Sequence, residues 1–240
     1  MTAATFVLVH GAFHGGWCWR PVASGLRALG HEVHTPTQTG LGERRHLLGP
    51  DITMETFVQD IVQLIEMEEL DDVVLVGHSF GARTALGVAD RIPHRLRRLV
   101  LIDGGIPFDG ASRLEAMSPQ QREERLVRAV ATGGVGIAPP PAASFGVSDP
   151  ALLEWLERHL TPQPVGAENT RLALTHDLGN GLPVSYVRCT SPALAAVDAS
   201  ADYARAREDW SYVEVAAGHS VIVTDPDWVV AYLDALTKED

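Results

Sequence analysis

Cysteine, basic residues and long apolar runs are all scarce in this chain of 240 residues, and each scarcity argues against a class of protein. The two cysteines, Cys18 and Cys189, are too few for a disulfide framework or a cysteine-rich zinc site. Lysine and arginine number 19 against 31 aspartates and glutamates, and the net charge of -12 argues against nucleic acid as a partner. No apolar run approaches the roughly 20 residues that a membrane-spanning helix requires.

The N-terminal sequence MTAATFVLVHGAF has no basic residue ahead of its apolar run, so we interpret that run as a strand rather than a signal peptide. A cytoplasmic protein with no membrane or nucleic-acid partner is therefore expected. The hydrophobic fraction of 45% can form one substantial core, and a single α/β domain often has this length.

Short β-branched runs alternate with longer amphipathic stretches, which is typical of a parallel sheet covered by helices. We predict an α/β fold with six mainly parallel strands and helices on both faces. The strand candidates are residues 5–9, 31–35, 73–76, 99–102, 183–188 and 210–215. Thr53 and Asp225 are predicted to cap the helices that follow them.

The segment between the fourth and fifth predicted strands interrupts this alternation. It contains two helix-like stretches, PQQREERLVRAV and PALLEWLERHL, and no strong strand signal. Its length of about 70 residues is far beyond an ordinary connection. We therefore predict a helical cap of residues 107–182, inserted after the strand that ends near Asp103, on a core of residues 1–106 and 183–240. Glu124 and Arg128 are assigned to a solvent-exposed face of a cap helix.

The sequence Gly77-His78-Ser79-Phe80-Gly81 matches G-x-S-x-G and lies directly between a predicted strand and a predicted helix. The serine of such a turn lies on strained backbone, and side chains two residues away would collide with the neighbouring elements. The turn raises the hydroxyl above the carboxyl edge of the sheet, beside a helix N-terminus. Ser79 is therefore the candidate nucleophile. The competing interpretation is a glycine-rich turn in which the serine is an ordinary N-cap.

A serine hydroxyl needs a nearby base to be a nucleophile at neutral pH. His219 lies just beyond the last predicted strand, on a loop at the same sheet edge, and it follows Ser79 in the chain order that this architecture requires. Because a lone histidine is more often structural, this assignment depends on Ser79. His14 and His78 are expected to hold loops by hydrogen bonds.

A serine nucleophile also needs backbone amides that stabilise the oxyanion. One donor is expected from Phe80, directly after the nucleophile. The other is expected from Ala12, since Gly11 lets the main chain approach closely. A dinucleotide turn is disfavoured because G-x-G-x-x-G does not occur and no acidic residue ends the second predicted strand.

The sequences HGAFHGGWCW and GHSFG, with a GH pair ahead of the last helix, resemble the α/β-hydrolase superfamily. Within it they are most similar to the plant methyl esterases and hydroxynitrile lyases and their bacterial esterase relatives. The resemblance spans nearly the whole chain. It implies an α/β-hydrolase fold with Ser79 as nucleophile, His219 as base, and the Ala12 and Phe80 amides as oxyanion hole.

The acid of the triad departs from that pattern. In the plant enzymes an aspartate follows the strand before the last one, where this sequence has Ser191 and Pro192. Some α/β-hydrolases use an acid at the position of Asp103, and a triad is defined by geometry rather than chain position. We predict Asp103, with Asp198 or Asp202 as the alternatives and a site without an acid as a third.

These features predict a serine esterase that cleaves small to medium apolar or aromatic esters through an acyl-enzyme. Phe13 and Trp155 are expected to line its pocket. The mechanism needs no cofactor, and the histidines show no HExxH spacing that would indicate a metal site. The expected partner is a small-molecule ester, and the choice between monomer and homodimer is left open.

Two other functions compete with the esterase. A ligand-binding or hormone-sensing protein could use the same scaffold, because fold alone does not determine function. A hydroxynitrile lyase is disfavoured, because those relatives carry a threonine in the oxyanion turn and a lysine beside the catalytic histidine. This chain has Gly11 and Ser220 at the matching positions, and its one lysine is Lys238.

Overall fold

Within residues 3–238, which this computed structural model describes, the chain forms eight β-strands and nine α-helices. The strands are β1 (Thr5–Val9), β2 (Glu32–His34), β3 (Val73–His78), β4 (Leu96–Ile102), β5 (Gly136–Ile137), β6 (Gln163–Pro164), β7 (Val184–Cys189) and β8 (Trp210–Val215). The α-helices are α1 (Arg20–Ala28), α2 (Met54–Met67), α3 (Gly81–Arg91), α4 (Pro119–Val127), α5 (Pro150–His159), α6 (Val165–Asn169), α7 (Asp198–Arg205), α8 (Val221–Thr224) and α9 (Pro226–Leu236). None of the helices in this range is long and apolar enough to span a bilayer.

Six of the strands form one sheet in the order β2-β1-β3-β4-β7-β8, and every neighbouring pair is parallel. The central strands are buried on both faces, as a parallel sheet requires, and all six residues of β3 are buried. One apolar cluster packs α2, α3 and α7 against one face, and a second packs α1, α8 and α9 against the other. The predicted α/β class, with helices on both faces, is confirmed.

The predicted element boundaries hold closely, with one informative exception. The strand predicted at residues 99–102 begins earlier, at Leu96, because its pairing with β3 already starts there. Arg97 and Arg98 interrupt the apolar pattern and conceal this extension. The predicted caps are present, since the side chains of Thr53 and Asp225 accept backbone hydrogen bonds from the first turns of α2 and α9.

The segment of residues 107–182 contains α4, α5 and α6, as the helix-like stretches indicate. The predicted helical cap gave no strong strand signal, yet β5 and β6 form a two-stranded antiparallel sheet within it. Each of these strands has two residues, which is too short for any alternating pattern to show in the sequence. The division of the chain into a core and a cap remains a prediction.

Contacts from this segment reach the carboxyl edge of the large sheet. Phe13, in the loop after β1, accepts a hydrogen bond from the Thr161 amide (2.9 Å) and donates one to Oε1 of Gln163 (3.1 Å). The Ser220 amide, in the loop after β8, donates to the carbonyl of Phe145 (3.1 Å). The segment therefore lies over the edge where the loops after β1, β3, β4 and β8 meet.

Candidate active site

The turn between β3 and α3 holds Ser79 in a left-handed conformation with φ of 55°. Neighbouring glycines make this turn sterically possible. A Cβ at Gly81 would lie 2.6 Å from the carbonyl oxygens of Val9 and His10, and one at Gly77 would lie 2.7 Å from the carbonyl of Gly81. The turn therefore has the strained, crowded geometry that the G-x-S-x-G motif predicts.

Three side chains from separate loops form a continuous chain of hydrogen bonds. Ser79 Oγ lies 2.9 Å from His219 Nε2, and His219 Nδ1 lies 2.6 Å from Asp103 Oδ2. Asp103 and His219 are buried, whereas Ser79 is partly exposed to the cavity above it. A carboxylate at Nδ1 holds the imidazole in the tautomer whose Nε2 can accept the serine proton.

The second oxygen of Asp103 is also fully engaged. Its Oδ1 accepts hydrogen bonds from Arg188 Nη1 (2.9 Å) and from the Cys189 amide (3.1 Å). Asp198 contacts Nη2 of the same arginine rather than the imidazole, and Asp202 pairs with an arginine of α7 at the surface. Of the acids that the sequence offered, the structure therefore brings Asp103 to His219.

Three further histidines support these loops as neutral hydrogen-bond donors. His10 Nδ1 donates to the Gly11 carbonyl (2.8 Å), His14 Nδ1 to the Ala12 carbonyl (2.7 Å), and His78 Nε2 to the backbone carbonyl of His219 (2.7 Å). Burial is the main cause that lowers the pKa of His10 to about 3, the pKa of His14 to about 4, and the pKa of His78 well below 6.5. Loop-holding roles were predicted for His14 and His78, and His10 was not singled out.

The peptide between Gly11 and Ala12 is oriented by this support. Because a trans peptide is planar, fixing the Gly11 carbonyl toward His10 directs the Ala12 N–H to the opposite side. Within residues 3–238, the amides of Ala12 and Phe80 donate to no other protein atom, and both residues line the cavity beside Ser79. Both amides are therefore free to bind an oxyanion.

A cavity of about 370 Å³ opens above Ser79 and His219. Much of its wall is apolar, formed by Phe13, Phe80, Ile106, Phe108, Phe145 and Val197. Three arginines, Arg83, Arg113 and Arg125, also line it. Among residues 3–238, no group of three or more His, Cys, Asp or Glu side chains could hold a metal ion.

The expectation that Trp155 lines the pocket is not met, whereas Phe13 does line it. The indole of Trp155 packs edge-on against Trp17, with ring centroids 5.0 Å apart, and also contacts His159. The reason is the placement of α5, which lays this side chain onto the short 3-10 helix Gly16–Trp19 instead of into the cavity.

The arginines of the site were not predicted from the sequence. Arg83 follows Ser79 by four residues, one helical turn, and that spacing could have indicated a shared face. No comparable signal marks Arg113, Arg125 or Arg188. The solvent-exposed position expected for Arg128 is wrong, because its guanidinium stacks over Phe13 and donates to a backbone carbonyl.

A parallel sheet that brings a strained serine, a histidine and an aspartate to one edge defines the class of α/β hydrolases. The model of the alpha/beta hydrolase family matches residues 6–232. The chain therefore belongs to that family.

The relatives are hydrolases. The chain is 39% identical over 246 residues to a carbendazim hydrolyzing esterase from Nocardioides sp. (strain SG-4G), a match that covers 97% of this chain and 99% of that protein. Methylesterase 2 of Arabidopsis thaliana is 39% identical over 106 residues, which cover 42% of this chain and 40% of the plant protein.

Among solved structures, an extracellular alpha/beta-hydrolase from a Paenibacillus species superimposes with a TM-score of 0.83. It is 25% identical and covers 96% of this chain and 97% of its own, and it is described as sharing structural and functional homology with tobacco salicylic acid binding protein 2. Together these relatives support a hydrolase of esterase type.

Loss of Arg188 is expected to destabilise the fold far more than loss of its surface partner. The Arg188 side chain is 7% exposed and pairs with Asp103, which is fully buried, whereas the Asp198 side chain is 58% exposed. Arg188→Met leaves the Asp103 carboxylate without its buried partner and should lower the free energy of unfolding by about 3 kcal/mol or more. The matched variant Asp198→Asn should lower it by less than about 1 kcal/mol. Urea unfolding of both variants would measure this, and equal losses would contradict it.

The buried neutral histidines should make the protein lose stability as the pH falls. Because the pKa values of His10, His14 and His78 are lowered by folding, the unfolded chain binds more protons below pH 6.5. Between about pH 6.5 and pH 4, each histidine can reduce the free energy of unfolding by up to about 1.4 kcal/mol per pH unit. Urea unfolding at pH 7, 6 and 5 measures the slope.

The variant His14→Gln tests the origin of that slope. It should reduce the dependence of the unfolding free energy on pH, whereas His46→Gln, at an exposed position, should leave it unchanged. Identical slopes in His14→Gln and the unsubstituted protein would refute the assignment.

Proposed function

We propose that this protein hydrolyses carboxylic esters through an acyl-enzyme formed on Ser79. The observation that carries the proposal is the chain of hydrogen bonds from Ser79 Oγ through the His219 ring to Asp103. Ser79, at the start of this chain, faces a cavity of about 370 Å³. Membership of the hydrolase family and the esterases among the relatives support the same reaction class.

In the first half-reaction, Ser79 Oγ attacks the ester carbonyl carbon while His219 Nε2 takes the hydroxyl proton. The carbonyl oxygen becomes an oxyanion that accepts hydrogen bonds from the Ala12 and Phe80 amides. When the tetrahedral intermediate collapses, the C–O bond to the alcohol breaks and His219 returns its proton to the departing oxygen.

In the second half-reaction, His219 deprotonates a water molecule that attacks the acyl-enzyme, and the acid is released as the Ser79 hydroxyl is restored. Asp103 holds the imidazole ring in place and stabilises its charged form during both steps. Since Arg188 and the Cys189 amide occupy Oδ1 of Asp103, only Oδ2 is left for the imidazole.

The cavity wall favours esters with a small to medium apolar or aromatic part. The ring centroids of Phe13 and Phe145 lie 6.3 Å apart, and those of Phe145 and His219 lie 6.4 Å apart. An apolar group bound beside the reacting carbonyl would therefore contact aromatic side chains and exclude water from the triad.

The competing functions lack a supporting observation. A pure binding protein has no need for a serine hydroxyl aligned on a histidine–aspartate pair. The related hydroxynitrile lyases carry a lysine beside the catalytic histidine, where this chain has Ser220, and its one lysine, Lys238, pairs with Asp234 of α9 outside the cavity.

Substitution of the triad should abolish turnover of 4-nitrophenyl acetate. Ser79→Ala and His219→Ala should each lower kcat by about 10³-fold or more, because nucleophile and base act as one unit. Asp103→Asn should lower it by about 10²–10⁴-fold through loss of the correct imidazole tautomer. The control Asp202→Asn removes a surface carboxylate and should retain the activity of the unsubstituted protein.

A fluorophosphonate probe gives a second measurement on the same proteins. The unsubstituted protein should be labelled once, at Ser79, and Ser79→Ala should not be labelled. A protein with neither labelling nor turnover would be a binder on a hydrolase scaffold, and the proposal would be wrong. Nearly full activity in Asp103→Asn would refute the assigned acid.

A further inference from the structure

The cavity carries more positive charge than ester hydrolysis requires. Arg83 comes from α3, Arg113 from the segment after β4 and Arg125 from α4, and all three line the cavity. Arg83 is only 4% exposed. An arginine is rarely so buried unless a partner compensates its charge and its donors.

The three guanidinium groups differ in the number of hydrogen-bond acceptors that they contact. Arg125 is fully paired, because its Nε and Nη2 both bond the carboxylate of Glu168, itself completely buried. Arg83 donates from Nη1 to the Ala111 carbonyl (2.9 Å), but its buried Nε has no acceptor. In the part of the chain that the structure describes, Arg113 makes no hydrogen bond or ion pair, although the charge of Glu168 acts on it.

The charges around these groups do not balance. Asp109 is the one acidic side chain that lines the cavity above the triad, and Glu168 is committed to Arg125. Three arginines therefore meet two carboxylates, the exposed Asp109 and the buried Glu168, and the Glu168 oxygens are bonded by Arg125 alone. Burial and then the proximity of Arg113 lower the pKa of Arg83 to about 10, and the charges of Asp109 and Glu168 act in the opposite direction.

From this geometry we infer that the cavity binds esters that carry a free carboxylate, and that Arg83 and Arg113 bind that carboxylate while the ester carbonyl lies at Ser79. This inference rests on the proposed function and narrows its substrate class to half-esters of dicarboxylic acids and related carboxy-esters. A guanidinium presents a planar fork of donors that matches a carboxylate, and an anion there would relieve the repulsion between the two arginines. The apolar wall would contact the carbon chain between the two ends.

The alternative is that Arg83 and Arg113 are structural. Arg83 already bonds the backbone at Ala111 and could simply hold that segment against α3. The two roles predict different effects of substitution on kcat/KM. Substitution of a structural arginine should lower it equally for all substrates, whereas substitution of a carboxylate-binding arginine should lower it only for substrates with a carboxylate.

The test compares paired substrates that differ only in charge. One series is the 4-nitrophenyl half-esters of succinate, glutarate and adipate, against 4-nitrophenyl esters of the matching neutral acids. A second pair, 4-carboxyphenyl butyrate and phenyl butyrate, places the carboxylate on the alcohol side. The unsubstituted protein should prefer the charged member of at least one pair by about tenfold or more in kcat/KM, as a charge-assisted contact implies.

Arg113→Met should remove that preference. It should lower kcat/KM for the preferred carboxylate substrate by about tenfold or more and leave the neutral partner within about twofold. Arg113→Lys should keep part of the preference, since it retains the charge without the fork. The matched control Arg45→Met, at an exposed position outside this cavity, removes the same charge and should preserve the preference.

A binding measurement separates this inference from the proposed function. Calorimetry with monoethyl succinate, glutarate and adipate on Ser79→Ala and on Ser79→Ala with Arg113→Met should show about tenfold weaker binding of at least one half-ester in the second protein. Turnover of neutral esters with no preference for a carboxylate, or with equal losses in Arg113→Met, would overturn the inference and leave the esterase standing. Half-ester binding that depends on Arg113 without any turnover would overturn only the esterase.

Discussion

The hydrogen bond between His219 Nδ1 and Asp103 Oδ2 is the contact on which the candidate site depends, and the parallel sheet makes it possible. Asp103 follows β4 and His219 follows β8, with β7 between them in the sheet. The histidine loop must therefore cross the end of β7 to reach the carboxylate. Arg188, near that end, lies beside the crossing and fills the other carboxylate oxygen. Because the acid follows β4, an arginine of β7 can bond the carboxylate that holds the imidazole.

The fold could be predicted because local rules determine it. Strand-forming runs, the crowding of the serine turn and the common edge of parallel strands are all visible in the sequence, and they predict Ser79 and His219 at one edge. The sequence leaves the acid open between Asp103, Asp198 or Asp202 and none, and in the structure Asp103 is the one that contacts His219. Residues 107–182 could not be predicted so well. The pairing of β5 with β6, and the contact of Trp155 with Trp17, depend on how helices pack rather than on any repeat in the chain.

The positions of the charged side chains in the cavity could not be predicted from the sequence either. Glu168 and Arg125 lie far apart in the sequence, and nothing in either neighbourhood indicates that one is fully buried against the other. Only the structure reveals that Arg125 bonds the buried Glu168 carboxylate, and that Arg83 and Arg113 lie near this carboxylate without a hydrogen bond to it. The chain as a whole is acidic, yet the charged side chains that line the cavity are three arginines and one aspartate.

The neutral histidines connect the stability of the protein to its chemistry. His14 and His78 lie close enough to His219 for a charge on that ring to lower their pKa values further. The coupling between two charged groups is mutual, so a proton on either neighbour would oppose the imidazolium that the proposed mechanism forms at His219. Burial keeps both neighbours uncharged and leaves Asp103 as the charge in contact with the ring. The same burial that costs stability at acid pH therefore keeps competing positive charges away from the ring that acts as base in the proposed mechanism.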